Sequence, residues 1–190
     1  MRRALIVGGA NGIGLSIATE LAKDKECEKI YIVDRVKPEK EFCNEKFECH
    51  LFDLTEPDYS IFRQFDDIDT LMITAGFGRL SLFKDIDEQH IISSITVNTT
   101  AVIRIIHHFY EKINSCKDFY CGVMVSIAGF ISSPFFSVYG ASKAALKIFI
   151  ESVNVETGEV KVVKETAYSN GDRAKVKCYG SDSVPEGVAI

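Results

Sequence analysis

The 190-residue chain is 46% hydrophobic, which is enough for one well-buried domain and short for two. Its formal charge of −5, with no segment that gathers basic residues, argues against a nucleic-acid partner. Charge or glycine breaks every apolar run well before the roughly 20 residues of a membrane span, so no membrane partner is expected.

The short run ALIV after two arginines is brief beside a signal core of about 7–15 residues, and ALIVGG (4–9) reads better as a buried strand ending in glycines. IGLSIATELAKD (13–24) has helical periodicity, with Ile13, Ile17 and Leu21 on one face. KIYIVDR (29–35) is a second strand and KFECHLFDL (46–54) a third; a short helix is predicted over 57–65. TLMITAG (70–76) is the fourth strand and a long helix follows over 88–114. FYCGVMVSIAG (119–129) holds the fifth strand, and a helix over 138–155 comes next. The six cysteines are scattered without a C-x-x-C pair, and His107 and His108 are adjacent on a helix, so no metal site is expected. Reduced thiols in a cytoplasmic protein are the expectation.

Strands alternating with helices imply an α/β fold: a Rossmann-type, doubly wound parallel sheet joined by right-handed crossovers. Ligands of such sheets bind beyond the carboxyl ends of the strands. The first strand ends in VGGANGIG, so Gly8, Gly12 and Gly14 follow G-x-x-x-G-x-G, with Asn11 and Ile13 between them. A phosphate needs backbone N–H groups and no Cβ in the way, and the helix near Ile13 turns its positive end toward it. Asp34 closes the second strand 20 residues after Gly14, where a carboxylate accepts from both ribose hydroxyls. That charge repels a 2′-phosphate and favours NAD over NADP, although Arg35 beside it could hold the phosphate. Asp53 and Leu54 end the third strand, as an adenine contact or as bland surface residues. Ala75 and Gly76 end the fourth, where small residues let a flat cofactor lie against the sheet.

SVYGASKAALKIFIESVNVE (137–156) sets Tyr139 and Lys143 one helical turn apart. Alone the spacing decides nothing. Together with VGGANGIG, Asp34, TAG (74–76), Asn98 and Ser126, in this order, it resembles the short-chain dehydrogenase/reductase family, in its compact single-domain branch, over residues 3–156. The resemblance implies an NAD(H)-dependent oxidoreductase that interconverts an alcohol and a carbonyl compound. Tyr139 would be its general acid/base. Lys143 would favour the phenolate and bind the nicotinamide ribose, Ser126 would hold the substrate oxygen, and Asn98 would anchor a water chain to Lys143. A homodimer or homotetramer is also implied, through the helices over 88–114 and 138–155.

The chain departs from the family in three places. Val7 replaces a threonine. Thr74 replaces the asparagine that braces the central strands. After Glu156 the usual strand ending in Pro-Gly, the substrate loop and a further helix are not recognisable. Residues 1–156 therefore read as the NAD(P)-binding, catalytic domain and 157–190 as an atypical segment. EVKVVKETAY and RAKVKCYG alternate like two strands of a terminal β-hairpin around SNGD, which leaves the fifth strand without its usual neighbour. A non-catalytic nucleotide-binding or scaffold protein of the same ancestry is the competing reading. IAGFISSPFFSV, between Ser126 and Tyr139, carries Phe130, Ile131, Phe135 and Phe136. Two readings stay open for them: the rim of a site for an apolar substrate, or packing under a loop or at a subunit contact.

Overall fold

A computed structural model describes residues 2–38, 45–157 and 161–163. Six strands, β1 (Arg2–Val7), β2 (Cys27–Asp34), β3 (Phe47–Leu51), β4 (Thr70–Ile73), β5 (Tyr120–Met124) and β6 (Lys161–Val163), form one sheet in the order β3-β2-β1-β4-β5-β6. Every pairing is parallel. The sheet is the doubly wound Rossmann type expected.

The sheet divides the core by strand alternation. Leu5 and Val7 of β1 face one side with Leu71, Ile73 and Val123; Ile6 faces the other with Ile30, Ile32 and Met72. β1 lies between β2 and β4, so ALIV is apolar at every position rather than at alternate ones. Helix α1 (Gly12–Lys23) covers the Ile6 side through Ala18. Helices α3 (Ala101–Ser115) and α4 (Ser137–Thr157) cover the other through Val102, Ile105, Ile106, Leu146 and Ile150. Burial of each large aliphatic side chain stabilises the fold by about 1.5–3 kcal/mol.

Three elements differ from the sequence expectation. The helix predicted over 57–65 is a 3-10 turn, Ser60–Phe65, begun where Asp58 accepts from the Ser60 N–H (2.8 Å) and hydroxyl (2.9 Å). With three residues per turn, Phe62 and Phe65 lie on one face and both enter the core. The long helix over 88–114 is interrupted: α2 (Glu88–Ile95), capped by Asp87 on the His90 N–H at 2.7 Å, passes through a π turn at Thr96–Thr100 before α3 begins. The third difference is at the sheet edge, where β6 pairs with β5 from Gly122↔Lys161 to Met124↔Val163. The fifth strand is therefore not left unpaired. Parallel pairing with the KVV run that follows α4 satisfies β5's edge. The second strand expected of the hairpin, 173–180, lies outside the described residues.

Thr74 performs the bracing that its replacement of asparagine put in question. Its hydroxyl donates to the carbonyls of Gly8 (3.0 Å) and Val7 (3.2 Å), while the N–H groups of Thr74 and Ala75 both donate to Val7 O. Thr74→Val keeps the shape and loses the donor, so it should lower stability by about 1 kcal/mol, read as a lower urea midpoint at unchanged m-value. An unchanged midpoint would show that the hydroxyl braces nothing.

Candidate functional site

The glycines after β1 are required by close approach. Gly8 has φ +86°, and a Cβ there would lie 2.5 Å from Ala75 N. A Cβ on Gly14 would lie 2.1 Å from Gly8 O, so the first turn of α1 sits directly on the strand end. Gly12, at φ +52°, has open space where its Cβ would be. Backbone amides there are accessible, as an anion needs. Asn11 precedes the helix in extended conformation without a side-chain cap bond.

Asp34 ties the end of β2 to this loop. One carboxylate oxygen accepts from Ala10 N–H (3.0 Å) and the other from Val36 N–H (3.3 Å). Asp53 is held by its own turn, accepting the N–H (2.9 Å) and hydroxyl (2.8 Å) of Thr55; the Thr55 backbone bond, ahead of the hydroxyl, keeps its carboxyl below the usual range. A groove of about 610 Å³ is lined by Gly8, Asn11, Gly12, Ile13, Gly14, Asp34, Arg35, Asp53, Leu54, Ala75 and Gly76. All eleven positions expected from strand ends alone meet there.

A second cavity of about 660 Å³ holds Ser126, Tyr139 and Lys143 and shares Ile13, Thr74 and Gly76 with the groove. Tyr139 lies in the first turn of α4 and Lys143 one turn on. Lys143 is only 3% exposed; its ammonium donates to Met124 O at 3.0 Å, and burial pulls its pKa down to about 8. Ser126 caps a 3-10 turn at Ile127–Gly129 by accepting from the Ala128 N–H at 3.2 Å.

The loop after β4 closes over this pair. A Cβ on Gly76 would lie 3.2 Å from Lys143 Nζ, and one on Gly78 would lie 2.7 Å from Tyr139 Cδ2. Phe77 between them is held by Asn98, which is wholly buried in the π turn. Asn98 Oδ1 accepts from the Phe77 N–H (2.9 Å), and its Nδ2 donates to Phe77 O (2.8 Å) and to Ser142 Oγ (3.0 Å). Ser142 Oγ in turn donates to Tyr139 O (2.7 Å), and Thr99 Oγ donates to Ser142 O (2.8 Å). Asn98 lines neither cavity, and its amide is spent on the protein. Its contribution to the site is to position the 76–78 loop.

Sequence reasoning overlooked Gly78 and Ser142. The repeated glycine in AGFG was the available signal for Gly78. Ser142 had none, because a serine between Tyr139 and Lys143 becomes informative only when Asn98 is seen beside it.

A parallel sheet with a glycine turn after its first strand and a carboxylate after its second defines the Rossmann class of α/β proteins. More narrowly, the chain belongs to the short chain dehydrogenase family, whose model matches residues 2–166, and so to a class of oxidoreductases. A second model, described as GGGtGRT protein, matches residues 144–190 and so overlaps the first over 144–166, ten residues beyond Glu156, where the sequence alone lost the family pattern. No curated protein sequence matches the chain. Among solved structures, the bulky-bulky ketone specific alcohol dehydrogenase from Comamonas testosteroni superposes with TM-score 0.78 at 23% identity, over 93% of this chain and 77% of that one. An alcohol dehydrogenase from Thermococcus sibiricus, complexed with 5-hydroxy-NADP, gives 0.74 at 21%, over 86% and 74%. A short chain dehydrogenase family protein from Francisella tularensis gives 0.74 at 20%, over 87% and 68%. At these identities the likeness is one of fold.

The buried ammonium makes stability depend on pH with a definite sign. Below pH 8 Lys143 is protonated in both folded and unfolded chains, and the full cost of burying charge is present. Between about 8 and the ordinary lysine value near 10.4, the unfolded chain binds the extra proton, so stability through this group rises with pH. Urea unfolding of the wild type at pH 7 and pH 10, with Lys143→Met as reference, should show about 2 kcal/mol more gain in the wild type. Equal gains would mean that the amine is not buried in its charged form.

Proposed function

We propose that the chain is an NAD(H)-dependent oxidoreductase that interconverts an alcohol and a carbonyl compound, with residues 1–156 as its cofactor-binding and catalytic unit. The carrying observation is adjacency: the cavity with Ser126, Tyr139 and Lys143 borders the glycine-lined groove, and the two share Ile13, Thr74 and Gly76 as lining. A dinucleotide would find open backbone at Gly12 for its diphosphate and the carboxylates of Asp34 and Asp53 in the same groove for its ribose and adenine. Arg35 lies in the same groove, yet Asp34 would face a 2′-phosphate with like charge, which favours NAD over NADP.

When bound, the nicotinamide supplies or accepts hydride. In the reducing direction Tyr139 gives its hydroxyl proton to the carbonyl oxygen as negative charge develops there; in the oxidising direction it takes the alcohol's proton. Ser126 holds that oxygen. Lys143, cationic below pH 8 and fixed on Met124 O, places positive charge beside the phenol and offers donors to the nicotinamide ribose. Asn98 keeps Gly76 and Gly78 against Lys143 and Tyr139, so the two groups hold one relative orientation. A water chain from Asn98 to Lys143 would have to start from its backbone, because the side chain is engaged. Exposed Ile92 and Ile95 on α2 and Ile148 on α4 support a homo-oligomer through these helices.

A second reading, a nucleotide-binding protein without turnover, is favoured by the GGGtGRT match over 144–190, which falls where substrate-binding elements are expected. Two measurements separate the readings. Tyr139→Phe should lower kcat/KM for carbonyl reduction by about 10³-fold or more with NADH affinity within about threefold. Calorimetric titration should show NAD binding more tightly than NADP, with the preference lost in Asp34→Ala. Turnover that survives in the Phe variant would remove Tyr139 from the chemistry; binding without turnover in the wild type would establish the second reading.

A further inference from the structure

The structure separates the four apolar residues between Ser126 and Tyr139 that the sequence could not. Phe130 packs away from the cavity, under the Lys147 ammonium at 4.8 Å from its ring centroid. Phe136 lines the cavity, with its ring 5.6 Å from that of Tyr139, and Ile131 lines it while 60% exposed. Phe135, half-exposed, takes φ +69°, a left-handed conformation unusual for a bulky residue, and its carbonyl accepts from Ser81 N–H at 3.1 Å. That bond ties the loop to a second segment with exposed apolar side chains, Leu80, Leu82 and Phe83. Two joined segments thus expose hydrocarbon beside one cavity, the pattern of a ligand site rather than of scattered surface residues.

Among the described residues lining the cavity, Lys143 alone carries a full charge, and its ammonium is engaged by Met124 O. A carboxylate substrate would lose its hydration there with only that one buried ammonium, already shared between Met124 O and the nicotinamide ribose, to replace it. A polyol would leave several hydroxyls unpaired against Ile127, Ile131 and Phe136. We propose that the site takes an uncharged ketone or secondary alcohol bearing a bulky hydrocarbon substituent, and that Ile131 and Phe136 select it. This rests on the oxidoreductase reading above. In reduction, hydride from the reduced nicotinamide forms the new C–H bond at the carbonyl carbon. The C=O π pair moves to oxygen, which takes the Tyr139 proton, so the ketone becomes the alcohol as the nicotinamide is oxidised.

The test measures kcat/KM of the full chain with NADH, and in parallel NADPH, on 4-phenyl-2-butanone, 2-butanone, dihydroxyacetone and pyruvate. The expected result is a preference of about 100-fold for 4-phenyl-2-butanone over each of the others. Ile131→Ala, at an exposed position where folding is not at risk, should cut its ratio to 2-butanone about tenfold. Ile131→Arg should shift the preference toward pyruvate. If 2-butanone or pyruvate is reduced as well as 4-phenyl-2-butanone, and Tyr139→Phe abolishes that reduction, the substrate assignment falls while the oxidoreductase reading stands. If NADH binds and none of the four ketones is reduced, both fall.

Discussion

The site depends on one buried carboxamide. Asn98 meets the Phe77 backbone as a neighbouring strand would, accepting from its N–H and donating to its carbonyl, and its remaining proton goes to Ser142. An unpaired amide in this position would cost about 1–3 kcal/mol, so the satisfied arrangement resists slippage. Because Phe77 is fixed, Gly76 and Gly78 are fixed, and the space available to Lys143 and Tyr139 is set by two glycines that lack a Cβ. The contacts form a closed circuit, from Asn98 through Phe77 to α4 and back through Ser142. A closed circuit of this kind holds side-chain positions more tightly than any one of its bonds.

Into this rigid surround the fold places a cation that burial opposes. A fully hydrated lysine would be easier to accommodate, but its ammonium would then be screened by water. With one carbonyl partner and little solvent, the charge on Lys143 acts on its neighbours through a medium of lower dielectric. Burial and function pull in opposite directions here, and the compromise is an amine that remains protonated at neutral pH.

Much of this was legible in the sequence, for reasons that differ by element. The strand ends were readable because a parallel sheet must bring the carboxyl ends of its strands to one edge, and Gly8, Gly14, Asp34 and Asp53 all lie at or just beyond such ends. That Tyr139 and Lys143 share one cavity was readable from their spacing of one helical turn. What was hidden required contacts distant along the chain. Asn98 and Phe77 are 21 positions apart, and Asn98 and Ser142 are 44 apart. The π turn had no signature in TVNTT, and the parallel pairing of β6 could not be separated from a hairpin, because alternation marks a strand without naming its partner.

The π turn has an evolutionary corollary. An extra residue in a helix advances everything after it by about 100°. The wider turn lets Asn98 face the 76–78 loop while Val102, Ile105, Ile106 and Phe109 still face the sheet. A regular helix of the same sequence could satisfy one of those demands and would turn the other toward solvent. Loss of one residue from this turn would therefore cost both the Asn98 contacts and the packing of α3, so the segment tolerates a change of letter more readily than a change of length.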